Sequence, residues 1–253
     1  MSMKLQGKVA LIPGGTSGIG EQIAYAYAKE GATVVVASRS KEKVDRVAAE
    51  INKIGKGAGL VLDVTDKPQV DEAVAWVVKE YGKIDIMLNS AGFFPATPVE
   101  KIDAGEWSRV IDINLNGPFY CAQAAAQEMI KQKSGRIIFI TSGQALRGVP
   151  LMAHYSAAKG GLVALARAMA AELGIYGITV NTIAAGLTTT DTVNGSMPPQ
   201  FLEMVSQNVP LKRLAQPSEY NDTAVLLASD GGAYITGVTI AVDGGTAQAD
   251  AVH

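Results

Sequence analysis

A single cysteine, Cys121, and two histidines in 253 residues remove several kinds of chemistry at once. One thiol forms no intrachain disulfide, and so few thiols and imidazoles cannot build a Cys/His metal set, so no metal is expected. Charge is modest and balanced: 22 Lys and Arg stand against 24 Asp and Glu, with no long run of either sign. A nucleic acid is therefore not an expected partner. Long apolar runs are also missing. The opening Met-Ser-Met-Lys-Leu-Gln-Gly-Lys leads into an apolar stretch of about five residues, too short for a signal-peptide core or a membrane span. A cytoplasmic protein without membrane contact is the expectation.

What is plentiful is small and aliphatic: 48% of the chain is hydrophobic, only 6% is aromatic, and there are 27 glycines. Val- and Ile-rich runs at Val9–Ile12, Thr33–Ala37, Gly59–Leu62, Ile84–Leu88, Arg136–Ile140, Ile178–Ile183 and Val238–Val242 read as seven strands. Helix-length segments such as Lys67–Tyr81 and Met152–Ile175 lie between them. Alternating strands and helices predict an α/β fold, a doubly wound seven-stranded parallel sheet of the Rossmann type forming one domain. Residues 188–210, rich in Thr and carrying adjacent prolines, interrupt the rhythm and read as a mobile loop or lid beside the substrate.

The first strand runs into Pro13-Gly14-Gly15-Thr16-Ser17-Gly18-Ile19-Gly20 and then a helix. A glycine turn there lets backbone N–H groups and the helix N-terminus face a pyrophosphate with no Cβ in the way. Gly14, Ser17, Gly18, Ile19 and Gly20 are thus candidate cofactor contacts. The second strand ends at Ala37-Ser38-Arg39-Ser40. At that position dinucleotide folds that take NAD(H) carry an acid for the ribose. Ser38 is uncharged and Arg39 offers a guanidinium fork to a 2′-phosphate, so NADP(H) is preferred, with NAD(H) the alternative.

Thr141-Ser142-Gly143 closes the fifth strand, Tyr155 follows thirteen residues later, and Lys159 four beyond that. Four residues apart on a helix, the phenol and the ammonium share a face, and the cation is expected to lower the phenol pKa from its usual value near 10. Ser142, at the carboxyl end of a strand, is placed to hydrogen-bond the same substrate oxygen. Tyr-x-x-x-Lys alone is not specific, because Tyr25 and Lys29 repeat it. No strand-end serine precedes that pair.

With these motifs in place, nearly the whole chain resembles the short-chain dehydrogenase/reductase family of roughly 250 residues. The resemblance implies a catalytic tetrad of Asn114, Ser142, Tyr155 and Lys159. Tyr155 would be the general acid or base, Ser142 would position the carbonyl oxygen, Lys159 would bind the nicotinamide ribose, and Asn114 would hold a relay water. It also implies cofactor contacts from Asp63-Val64, from Asn89-Ser90-Ala91-Gly92, and from Gly186, Thr188 and Thr190. Substrate-facing positions would be Phe93, Phe94, Gln144, Leu151 and Met152, joined by Met197, Phe201 and Met204. Three departures stand out: Pro13 replaces a usual Thr and removes a hydroxyl and an N–H, Ser90 replaces Asn, and Ala185 replaces Pro.

The expected activity is hydride transfer between NADP(H) and a small-molecule ketone, aldehyde or secondary alcohol, with direction set by the cellular cofactor ratio. Alternatives are a 3-oxoacyl thioester reductase, an NAD-dependent alcohol or polyol dehydrogenase, and a silent dinucleotide-binding scaffold. The family resemblance implies a homotetramer and leaves open the reach of the tail at 246–253. His154 and Cys121 read as packing residues.

Overall fold

The computed structural model describes residues 3–247. Seven parallel strands lie in the order β3-β2-β1-β4-β5-β6-β7. They are β1 (Val9–Pro13), β2 (Thr33–Ser38), β3 (Lys56–Val61), β4 (Ile86–Asn89), β5 (Gly135–Ser142), β6 (Ile178–Ala185) and β7 (Thr239–Val242). The main helices are α1 (Gly18–Lys29), α2 (Lys41–Ile51), α3 (Lys67–Tyr81), α4 (Ala104–Ile111), α5 (Gly117–Gln132), α6 (Ala153–Leu173), α7 (Asp191–Ser196), α8 (Pro199–Asn208) and α9 (Asn221–Ala228). Alternate strand residues feed opposite layers: Leu11, Val35, Met87, Ile137 and Phe139 pack with α3, α5 and α6. Ala10, Ile12, Val34, Val36, Ile138 and Ile140 pack with α1, α2 and α9. Burial on both faces is why the strands read as unbroken apolar runs.

Three sequence expectations shift. β3 begins at Lys56, not Gly59, because Gly57 and Gly59 pair with Val34 and Val36 of β2. Side chains there would collide with Ile51 and Val44 of α2; glycine lets the helix lie close on this edge strand. β4 starts two residues later than read, the N–H of Ile84 being taken by the Gln132 side chain. The stretch at 188–210 is largely helical, forming α7 and α8. Thr190 caps α7 by accepting the N–H of Val193 at 3.2 Å, and the adjacent prolines start α8, where a missing N–H costs nothing.

The sheet reverses its winding between β1 and β4, which opens a crevice at their carboxyl ends. Pro13 does not loosen the turn there. Its carbonyl accepts the N–H of Ser90 at 2.9 Å, and Gly14 N–H bonds Ala37 O at 2.8 Å, so both neighbouring strands hold it. Gly14 has φ +78, and a Cβ on it would overlap the backbone of Ser90 and Ala91.

Candidate active site

Ser142, Tyr155, Lys159 and Asn114 reach the crevice from three different elements. Ser142 ends β5, and its Oγ accepts the Gln144 N–H at 3.2 Å, which leaves the hydroxyl proton free to donate. Tyr155 and Lys159 stand on α6, with the ammonium 5.6 Å from the phenol ring centroid. Lys159 is 3% exposed and donates to Ile140 O at 3.1 Å. Asn114 sits in a wide π turn, Asp112–Asn116, between α4 and α5. Its amide is spent on backbone: Nδ2 donates to Phe93 O at 2.6 Å and to Val110 O at 2.9 Å, while Oδ1 accepts the Phe93 N–H. Gly92 lies between Asn114 and Lys159, since a Cβ there would come 3.3 Å from Asn114 Oδ1 and 3.9 Å from Lys159 Nζ. The Tyr25 repeat has no such setting; its phenol donates to Glu21.

The electrostatics correct one expectation. Burial pushes the Tyr155 phenol up to about 12, offset only in part by hydrogen bonding with Ser142, whereas the sequence reading had the cation lowering it. Burial also brings Lys159 down to about 8. Desolvation opposes charge on both groups, so at neutral pH the phenol is an acid holding its proton.

Across the strand ends, two buried polar atoms have no partner among the described residues: Ser38 Oγ at the end of β2 and Gln144 Oε1 just past β5. Buried polar groups are normally paired, so these two atoms are candidate ligand contacts. The Ser17 hydroxyl at the start of α1 makes no capping bond, and Gly20 lets that helix lie against Gly14 of the turn, where a Cβ would not fit. Ile19 is partly buried on the core. The N–H of Ala91 is held by Asn89 Oδ1. These features fit a dinucleotide of adenosine, pyrophosphate and nicotinamide.

Beyond the end of β2 lies a recess of about 360 Å3 lined by Arg39, Asp63 and Thr65 and, from the α4 region, by Gly105, Ser108, Arg109, Asp112 and Ile113. The sequence points to Arg39 and Asp63 but to neither Thr65 nor the α4 wall. Residues 105, 108, 109 and 112 share one helix face, but nothing local says what that face covers. Asp63 Oδ1 accepts from the Thr65 N–H and hydroxyl. Val64 packs into the core against Gly117, leaving only its backbone for an adenine contact.

Several expected contacts are displaced. The Thr188 hydroxyl is buried, donating to Gly186 O at 2.9 Å and sharing a hydrogen bond with Tyr220 at 2.7 Å, so it is not available to a cofactor. Thr190 is better placed, its methyl 3.0 Å from where a Gly18 Cβ would lie. Gly186 takes the role expected of a proline turn by bonding Val242 O and fitting against Asp243, where a Cβ would not fit. The Phe93 ring lies under Arg109, 4.5 Å from its guanidinium carbon. Phe94 faces the phenol instead, edge-on at 6.0 Å. Met152 is buried and Met197 half-buried, while Leu151, Phe201 and Met204 are exposed. A recess of about 450 Å3 under a different face of α8, lined by Leu202, Ser206 and Lys212 among others, includes none of the catalytic candidates. Residues 248–253 of the tail lie outside the described residues.

His154 is fully buried and not a shuttle. Its Nδ1 accepts the Tyr155 N–H at 2.9 Å and its Nε2 stands 3.1 Å from Glu106 Oε1, so the ring proton is on Nε2 and donates to the carboxylate. The histidine satisfies a first-turn N–H that α6 leaves open. His154→Leu is expected to cost about 1–3 kcal/mol by orphaning that N–H, read as a lower urea midpoint; an unchanged midpoint would exclude the capping role. Cys121 is buried in the core and burial pushes its thiol up to about 12, so it is unreactive packing.

Among the described residues no helix is long and apolar enough to cross a membrane, and no His/Cys/Asp/Glu group could hold a metal ion. Residues 14–247 match a family described as enoyl-(acyl carrier protein) reductase. A 3-oxoacyl-[acyl-carrier-protein] reductase of Thermotoga maritima is 37% identical over 96% of this chain and 99% of its own. A short-chain type dehydrogenase/reductase from Mycobacterium marinum superimposes with TM-score 0.93, at 34% identity and 98% coverage of both chains. An actinorhodin polyketide ketoreductase solved with NADPH gives TM-score 0.92, at 30% identity over 98% of this chain and all of the other.

Proposed function

The chain belongs to the short-chain dehydrogenase/reductase family of oxidoreductases, and on that premise we propose that it interconverts a ketone and a secondary alcohol using NADP(H), with Tyr155 as the proton donor and acceptor. The observation that carries the reading is a chain of contacts beside the ends of β4 and β5: Ser142 with the Tyr155 phenol, the Lys159 ammonium 5.6 Å from the Tyr155 ring, and Asn114 and Lys159 on either side of Gly92. NADPH, when bound, supplies a hydride to the carbonyl carbon. Ser142, whose oxygen already accepts the Gln144 N–H, donates its proton toward the carbonyl oxygen and orients it. Tyr155 delivers the phenolic proton as negative charge develops there. Lys159 stands behind the phenol as the cation that a forming phenolate needs, and Asn114 anchors the Phe93 backbone beside it. The unpaired Ser38 hydroxyl and the Arg39 side chain support NADP(H) over NAD(H), and the related polyketide ketoreductase was solved with NADPH.

The leading substrate class is a 3-oxoacyl thioester, a reading favoured by the curated relative. A free ketone is the second, favoured by the state of the basic residues near the mouth. Arg213 is paired with Glu219, Lys212 bonds Gln207 O, and Arg147 bonds Thr246 O, which leaves little free positive charge to dock an acidic carrier protein. Purified protein with NADPH, given acetoacetyl-coenzyme A and ethyl acetoacetate in parallel, separates them. A kcat/KM at least about tenfold higher for one identifies the class, since contacts beyond the reacting carbon contribute through transition-state binding. No NADPH oxidation with any ketone would sink the reductase reading.

A further inference from the structure

Two arginines reach the recess beyond β2, one from each wall. Arg39 follows β2, and Arg109 projects from α4. We infer that Arg109 is a second recognition residue for the 2′-phosphate of NADP(H), closing on it from the wall opposite Arg39; the inference rests on the NADP(H) reading above.

The charge partners carry the argument. Arg46 forks onto Glu21, Arg213 onto Glu219, and Arg136 and Arg147 donate to backbone carbonyls. Arg39, Arg109 and Arg167 have no hydrogen bond or ion pair among the described residues, and of these three only Arg39 and Arg109 line the recess. Each carboxylate of the recess spends one oxygen away from the arginines: Asp63 Oδ1 takes the Thr65 N–H and hydroxyl, and Asp112 Oδ1 takes Asn116 Nδ2.

Arg109 is nevertheless placed. Its guanidinium carbon sits 4.5 Å from the Phe93 ring centroid, a cation–π contact that needs none of its five N–H donors for a hydrogen bond. The Phe93 backbone is in turn clamped by Asn114. A guanidinium positioned by this contact with its N–H donors unspent is ready for a bidentate phosphate contact. The unpaired Ser38 hydroxyl at the end of β2, beside Arg39 in the chain, is a further donor at this end of the site.

The test is a titration of the full-length protein with NADPH, NADH and 2′,5′-ADP, for wild type, Arg39→Gln, Arg109→Gln and the double variant. Each single change is expected to weaken NADPH and 2′,5′-ADP by about tenfold or more, the loss of one charge-assisted pair. NADH binding should stay within about twofold of wild type, because the lost pair involves only the phosphate. Unfolding midpoints should hold, since the Arg109 side chain is exposed. Arg109→Gln protein that binds NADPH as tightly as wild type, while Arg39→Gln does not, overturns the inference and leaves the NADP(H) reading standing. Equal losses for NADPH and NADH would also overturn it, by making Arg109 a support for Phe93 alone. Wild-type protein that binds NADH as tightly as NADPH removes the NADP(H) reading, and the inference with it.

Discussion

Tyr155→Phe is expected to fold normally, bind NADPH with unchanged affinity and lose about 10²–10⁴-fold in kcat, the usual contribution of a positioned acid–base group. The substitution removes one oxygen and keeps the ring, so the edge contact with Phe94 survives. The Ser142 hydroxyl, the neighbouring polar group that offsets part of the phenol's pKa rise, loses its partner but remains able to meet the substrate oxygen. KM should therefore move far less than kcat. The raised phenol pKa adds a directional test. A phenol pushed up to about 12 by burial is protonated at neutral pH, which suits reduction. Alcohol oxidation needs the phenolate, so the oxidative rate of wild type should climb with pH across the range where the protein is stable, and the variant should lose that climb. Retained turnover in Tyr155→Phe would remove the proposed mechanism outright.

Lys159→Met should be more stable than wild type and nearly inactive. The ammonium is 3% exposed, has no carboxylate partner among the described residues, and donates one hydrogen bond, to Ile140 O. Burial lowers its pKa from 10.5 to about 8. Below about pH 8 the folded and unfolded states both carry the charge, and the folded state bears the full desolvation penalty. Between about 8 and 10.5 the folded protein has released the proton while the unfolded chain still binds it, so this group's contribution to stability rises with pH. Above 10.5 both are neutral and the penalty is gone. At about 1.4 kcal/mol per pKa unit the penalty at pH 7 is on the order of 3 kcal/mol. Leaving Ile140 O without its donor returns about 1 kcal/mol of that. A methionine of similar length removes the rest, so the urea midpoint of Lys159→Met should exceed wild type at pH 7, and this advantage should shrink above pH 8 and reverse by about pH 10.5, where only the lost hydrogen bond to Ile140 O remains. A destabilised variant at pH 7 would mean that the charge is better solvated than its burial implies. Holding a costly buried cation for chemistry is a common form of the trade between stability and activity.

Much of the architecture was legible in the chain because it rests on local pattern. Apolar runs such as Val34–Ala37 and Ile137–Ile140 marked strands buried on both faces, with no polar alternation to obscure them. The span Lys67–Tyr81 was readable to the residue because Asp66 caps it and Gly82 ends it in a left-handed turn. The edge strand was the weak point, since Gly57 and Gly59 carry no strand signal and are explained only by the closeness of α2. The helices within 188–210 were missed for a related reason: six and ten residues long, they are too short for periodicity to show.

Residue chemistry and spacing alone thus determined the alternating α/β order, the glycine turn after β1, the pairing of Tyr155 with Lys159 on one helix face, and the exclusion of disulfides. These depend on backbone sterics and helical repeat, which act over a few residues. The tertiary structure decided what depends on contacts between distant segments. It set the α4 wall that puts Arg109 into the recess with Arg39, the seating of Phe93 under Arg109 and of Phe94 against the phenol, and the burial of the Thr188 hydroxyl against Tyr220. It also set the sign of the Tyr155 shift, because desolvation is fixed by everything packed around a group, and no four-residue spacing contains that information.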